Sequence, residues 1–193
     1  MKISNLFLIS AILLILISCN NDYYPKPRGY FRIDLPEKNY QLFDTNFPYQ
    51  FEYPVYSKII FDTLQNAEAY WINLKFNQFK GTLHLSYKEV DNNLHEYLED
   101  TRTLAMKHIP KASGIENKQF VDKENQVYGL IYNISGSGAA SPYQFYITDS
   151  VQNFVRGALY FNTVPNNDSL APVIKFLEED INHMIETFRW KDI

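Results

Sequence analysis

Cysteine is almost absent from this protein: it occurs once in 193 residues, at Cys19. A single cysteine excludes an intramolecular disulfide framework and a cysteine-built metal site, so an exported form must be stabilised by its core. A long apolar run is also lacking. The most hydrophobic stretch, Leu6 to Ile17, is interrupted by Ser10 and Ala11. It is shorter than the about 20 residues a membrane-spanning helix needs and fits the roughly 7 to 15 of a signal-peptide h-region. Met1-Lys2 supplies a short basic n-region ahead of it. The join Leu16-Ile17-Ser18-Cys19 resembles the bacterial lipobox, in which the cysteine receives diacylglycerol before cleavage. An ordinary signal peptide beside an incidental cysteine is the alternative. With lipid on Cys19, each buried methylene contributes about 0.8 kcal/mol, and two or more acyl chains anchor stably where one binds reversibly.

Basic charge is in short supply. There are 18 Lys and Arg against 22 Asp and Glu, a formal charge of −4, and removal of residues 1–18, which hold Lys2 and no acid, takes it to −5. With no basic stripe either, nucleic acid is excluded as a partner.

Catalytic motifs are missing too. His84, His95, His108 and His183 show no metal-ligand spacing, and there is no Gly-x-Ser-x-Gly elbow. The run Ser135-Gly136-Ser137-Gly138-Ala139-Ala140-Ser141-Pro142 has the glycines of a dinucleotide loop but leads into Tyr143 to Ile147, a strand pattern. A phosphate cradle needs a helix there. The run reads as a flexible hairpin connection, with partner recognition as its second reading. Neither catalytic residue, metal nor cofactor is expected, and the protein is not read as an enzyme.

What is abundant is aromatic character: Phe, Tyr and Trp make up 16% of the residues, a composition suited to pleated, half-buried surfaces. After Cys19, residues 20–29 are polar and proline-bearing, a short tether. From Tyr30 onward, brief aromatic and β-branched runs predict strands at Tyr30 to Asp34, Tyr49 to Tyr53, Lys58 to Phe61, Tyr70 to Phe76 and Thr82 to Glu89. A second group follows at Gln119 to Val121, Gln126 to Ile134, Tyr143 to Thr148 and Phe154 to Phe161. In Thr82 to Glu89, Leu83, Leu85 and Tyr87 alternate with Thr82, His84, Ser86 and Lys88, giving one buried and one open face.

Helical period predicts two helices. Leu94, Tyr97, Leu98, Thr101, Leu104, Ala105 and His108 mark the first, with capping candidates in Asp91-Asn92-Asn93 and a stop at Pro110. Leu170, Val173, Leu177, Ile181, Met184, Ile185 and Phe188 mark the second, capped by Asp168 or Ser169, with Pro172 in its first turn. The cluster Glu178-Glu179-Asp180 reads as that helix's solvated face.

The expected fold is α+β, an antiparallel β-sheet with flanking helices. The layout resembles the PsbP/Mog1 α/β/α sandwich. Domain organisation is a signal peptide at 1–18, a lipidated tether at 19–29 and a single domain at 30–193.

Lys26, Arg28 and Arg32 interleave with Tyr23, Tyr24, Tyr30 and Phe31 just beyond the lipid site. The plain reading is tether plus first strand; anionic head groups or a partner are the functional alternatives. Several strings carry a more specific signal. They are residues 24–36 (YPKPRGYFRIDLP), 84–88 (HLSYK), 148–150 (TDS), 156–161 (RGALYF) and 165–172 (PNNDSLAP). Together with Cys19 they resemble the gliding-motility lipoprotein GldD family of Bacteroidota, from lipobox to C-terminus.

The resemblance implies a cell-envelope lipoprotein, acylated with groups such as palmitate. It would be required for gliding motility and the associated type IX protein secretion system, acting as a non-catalytic accessory or assembly component. Its partners would be the membrane, through the lipid, and envelope proteins of that machinery. The family supplies no agreed active residues, so the strings themselves give the candidate partner-binding set: Arg28, Tyr30, Arg32, His84, Tyr87, Asp149 and Arg156. Asn20 after the cysteine, in place of an acidic or lysine-rich run, points to the periplasmic side of the outer or inner membrane. The competing expectation is a periplasmic lipid- or glycan-binding module with a deep apolar cavity and convergent polar groups.

Overall fold

The computed structural model describes Gly29, residues 32–63 and residues 67–192. Cys19, Arg28 and Tyr30 lie outside the described residues, as does the start of the strand expected from Tyr30. Contacts divide the protein into Met1–Arg32 and Ile33–Ile193, and the fold is that of the second unit. Its elements are β1 (Tyr40–Phe43), β2 (Tyr49–Pro54), β3 (Lys58–Phe61), β4 (Ile72–Phe76), β5 (Gly81–Glu89), α1 (Leu94–Met106), β6 (Gly114–Asp122), β7 (Val127–Ser135), β8 (Tyr143–Thr148), β9 (Asn153–Phe161), α2 (Asn167–Glu186) and β10 (Arg189–Trp190).

Seven strands form one sheet in the order β3-β4-β5-β9-β8-β7-β6, and β1-β2-β10 form a smaller one. Every pairing is antiparallel. The expected α+β class, antiparallel sheet with flanking helices, is therefore the fold adopted. Period-two alternation decides which face each residue takes. Leu83, opposite Leu74 and Leu159, faces the main core, as do Phe145, Ile147 and Val155. There they meet Leu177, Ile181 and Met184 of α2 and Phe188 just beyond it, each 0–1% exposed. Burial of each such side chain stabilises the fold by about 1.5–3 kcal/mol. On the other face α1 packs across β8 and β9, and a second cluster gathers Ala105 with Tyr132, Ile134 and Ala139.

Several expectations need correction. Arg32 to Asp34 form no strand, whereas β1 and β10 are strands without a periodic signature of their own, formed by pairing with β2. The cap of α2 is Asn166, whose side chain accepts from the Ser169 amide at 3.4 Å, in place of Asp168 or Ser169. With the helix opening at Asn167, Pro172 falls in the second turn, where it removes one intrahelical hydrogen bond. Asn93 caps α1 by position only; its side-chain oxygen accepts from the Asp91 amide at 2.9 Å and shapes the preceding turn.

The loop between β7 and β8 is clamped to α2. Asn167 Nδ2 donates to the carbonyls of Gly136 at 3.0 Å and Ala139 at 2.9 Å, and the Asn167 amide donates to the Ser137 carbonyl at 3.0 Å. Residues 165–172 thus hold residues 136–139 in place. Asp180 is not on a solvated face: it is 1% exposed. Its Oδ1 accepts from Lys38 Nζ at 2.7 Å and Tyr40 Oη at 2.9 Å, and its Oδ2 accepts from Tyr56 Oη. Burial and the adjacent carboxylate push both phenols above their ordinary pKa, keeping them as donors. Lys38 also lies 3.4 Å from the Phe176 ring centroid and donates to the Phe176 carbonyl at 2.5 Å. This network ties the segment entering β1 to α2.

Candidate docking site

The expected contact residues separate into two groups, because β5 sends alternate side chains to opposite faces. Arg32 is exposed, and Arg28 and Tyr30 lie outside the described residues. Tyr87 points to the α2 side. Its hydroxyl donates to Asn153 Oδ1 at 2.7 Å, and Asn153 Nδ2 donates to Asp149 Oδ2 at 2.7 Å. Asp149 Oδ1 accepts the amides of Val151, Gln152 and Asn153 at 2.8–2.9 Å. Those bonds outweigh burial and hold its pKa below the ordinary carboxylate value. Desolvation pushes the Tyr87 phenol up to about 12. Asp149 is thus occupied in building the β8–β9 turn. The two residues border an open depression of about 880 Å³, whose mixed lining includes Tyr70, Glu89, Asn153 and Trp190. It is not the deep apolar cavity a lipid site needs.

His84 and Arg156 come together on the α1 side. In the ladder Ser86 lies opposite Arg156 and His84 opposite Ala158, so the two are diagonal neighbours on one face. α1 covers β8 and β9, while the polar row of β5 and the adjoining positions of β4 lie beyond its edge. At that edge the helix and sheet leave a cleft of about 200 Å³. Its walls include Trp71, Lys88, Tyr97, Asp100, Phe154 and Arg156. The Trp71 indole donates to the Tyr87 carbonyl at 2.8 Å, which fixes the ring. Lys88 is ion-paired with Glu68 and sits 5.6 Å above the Trp71 ring. Tyr97 and Phe154 pack at 5.5 Å between centroids.

Arg156 is the chemical centre of this cleft. Its Nη2 donates to Gln144 Oε1 at 2.7 Å. Tyr160 provides a second neutral contact. Burial lowers its pKa from the ordinary arginine value, and it stays charged. Among the described residues no carboxylate lies within ion-pair distance of it. Two buried donors here, Arg156 Nε and Gln144 Nε2, have no hydrogen-bond acceptor among the described residues.

His84 Nδ1 donates to Asn73 Oδ1, and Asn73 Nδ2 to Asp62 Oδ2 at 3.3 Å. Partial desolvation, opposed by Asp62 and reinforced by Arg156 and Lys75, holds His84 below the ordinary histidine pKa. His108, at the end of α1, is lowered by desolvation and by the same arginine. The recess is aromatic-walled, and its charged lining residues are Lys88, Asp100 and Arg156. Among the described residues no group of three or more His, Cys, Asp or Glu is arranged to hold a metal, and no helix is long and apolar enough to cross a membrane.

The alternation of β5 exposed His84 and Lys88 to view in the sequence. It gave no sign of Trp71, Tyr97, Asp100 or Gln144, which reach the site only through strand order and the placement of α1. The Gln144-Phe145-Tyr146 alternation carried the one readable hint, a polar residue inside an otherwise core strand.

Among solved structures, the solution structure of cyanobacterial PsbP (CyanoP) from Synechocystis sp. PCC 6803 is similar at a TM-score of 0.49 and 10% identity, covering 83% of this protein and 98% of that one. No curated protein matches the sequence. A family model described as gliding motility lipoprotein GldD matches residues 20–190. By that match, which spans every element of the described fold, the protein belongs to the gliding motility lipoprotein GldD family.

Proposed function

We propose that this lipoprotein acts as a non-catalytic accessory or assembly component of the gliding apparatus and of the type IX secretion system associated with it. Lipid on Cys19 holds it in the cell envelope facing the periplasm, and its docking surface is the α1 side of the sheet around His84 and Arg156. The observation that carries the reading is the family match over residues 20–190. The chemistry of the cleft agrees with it: a guanidinium, an amide and aromatic rings grip a partner without forming or breaking bonds. Domain limits of 1–18, 19–29 and 30–193 belong to the same proposal, the tether keeping the domain close to the membrane.

A strain whose only copy carries Cys19→Ser provides the test. The unlipidated protein is expected in the soluble periplasmic fraction, with gliding and type IX cargo secretion both lost. Full gliding supported by a soluble form would show that anchoring is dispensable. A glycan-binding module is the second reading, favoured by the depression that combines Trp190, Tyr70 and Tyr87 with Glu89 and Asn153.

A further inference from the structure

We infer that the cleft between α1 and the sheet is a binding site for a carboxylate, carried by a partner protein beside a small apolar side chain and received by Arg156. The inference rests on the docking reading above and adds to it the chemistry of what docks. Three observations on this face meet.

The first is an unanswered charge. A half-buried guanidinium ordinarily has an anionic partner, since leaving it with neutral contacts forgoes most of the stabilisation its desolvation requires. Arg156 has Gln144 Oε1 and Tyr160, and its buried Nε has no acceptor among the described residues. Nε is itself buried, so a carboxylate entering the cleft is received at the Nη end of the guanidinium, whose planar fork takes both carboxylate oxygens.

The second is the surrounding field. His84 and His108 both feel the charge of Arg156, and Lys75 adds to it at His84. Asp62 opposes them at His84, and Asp100 lies on the helix wall of the cleft itself. Lys88, at the mouth, is shared with the exposed Glu68. Among the described residues lining the cleft, the sheet wall contributes Lys88 and Arg156 and the helix wall contributes Asp100. The third is size and lining. About 200 Å³ between Trp71, Tyr97, Leu104 and Phe154 admits a single apolar side chain next to the carboxylate.

Two kinds of protein carboxylate have this chemistry, the terminal carboxylate of a polypeptide and an acidic side chain. N-acetyl-leucine stands for the first and N-acetyl-glutamate-N-methylamide for the second, with N-acetyl-leucinamide as the uncharged control. Each is titrated into the full-length protein, purified in detergent and labelled with ¹⁵N-arginine. The expected result is a saturable shift of the Arg156 Nε–H resonance at millimolar probe, produced by at least one acid and not by the amide. A rise in the His84 and His108 pKa values should accompany it. The stronger of the two acids identifies the source.

Arg156→Gln, followed through the His84 and His108 resonances because the arginine signal is gone, should weaken binding roughly tenfold. Asp100→Asn should strengthen it two- to threefold by removing a like charge, a gain that impaired folding does not produce. Equal shifts from acid and amide, retention of binding in Arg156→Gln, or weaker binding in Asp100→Asn would overturn the inference. Colony spreading by the Arg156→Gln strain reads the docking proposal separately. Lost spreading without carboxylate binding overturns the ligand chemistry alone, and normal spreading with confirmed binding overturns docking at this cleft.

Discussion

Asp180→Asn is expected to destabilise the domain by about 3 kcal/mol, lowering its thermal midpoint by roughly 6 to 12 °C. The carboxylate is 1% exposed and accepts from three side chains drawn from outside its helix: Lys38, Tyr40 and Tyr56. An amide at this position retains the size and half the acceptors but leaves the Lys38 ammonium, itself only 27% exposed, with the more distant and exposed Glu179 at 3.7 Å as its counter-charge in place of the 2.7 Å pair. Removing one member of a buried pair costs far more than the pair contributes net, because the remaining charge stays desolvated. Nearby, His183 stacks on Tyr40 at 3.7 Å and bonds Glu52 at 2.7 Å, so the same stretch of α2 holds β1 and β2 together. Thermal unfolding followed by circular dichroism checks the prediction. A double-mutant cycle with Lys38→Met should return a coupling of at least about 1 kcal/mol. A change below about 1 kcal/mol for Asp180→Asn would mean that the network contributes little.

Gly157→Ala should cost about 3 kcal/mol or prevent folding, although it adds a single methyl group. Phe145 lies directly opposite Gly157 in the β8–β9 ladder, and its ring crosses the backbone of β9 there. A Cβ at residue 157 would stand 2.1 Å from Phe145 Cζ and within 2.7 Å of two further ring atoms. Phe145 is fully buried at the centre of the main core and has no open space to move into. Overpacking of this kind costs about 1–3 kcal/mol where side chains can adjust, and more where a ring is locked. Phe145→Leu introduced with Gly157→Ala should recover part of the loss. Soluble yield and urea midpoints of the two single variants and the double variant decide the matter. A Gly157→Ala protein as stable as the parent would show that the ring moves freely.

The sequence announced the long, regular parts of this fold. β5 alternates cleanly because one face meets core and the other water, and α2 shows its stripe because its apolar residues fall at helical spacing. Class and antiparallel character followed from those elements. Short pieces were harder: Tyr40–Phe43 and Arg189–Trp190 become strands only because β2 lies between them, a tertiary fact with no local signature. Asp180 misled for a related reason. Beside Glu178 and Glu179 it belongs to a charged run, and only its partners at positions 38, 40 and 56 show that it points inward.

At the candidate site, His84 and Arg156 were visible as members of distinctive strings. Their adjacency depended on β5 pairing with β9, separated from it by residues 90–152. Tyr87 and Asp149 came from the same strings yet lie at the other face and at a turn. A string can therefore be distinctive because it folds correctly as well as because it touches a partner.

The claim that this lipoprotein works through the α1 side of its sheet is tested most directly by site-specific photocrosslinking in gliding cells. A photoreactive residue replaces Ser86, at the cleft, or Lys175, exposed on α2. Position 86 is expected to give a discrete adduct with an envelope protein, abolished when Arg156→Gln is introduced, and position 175 no such adduct. An adduct from position 175 alone, or one from position 86 that persists undiminished in the Arg156→Gln background, would contradict it.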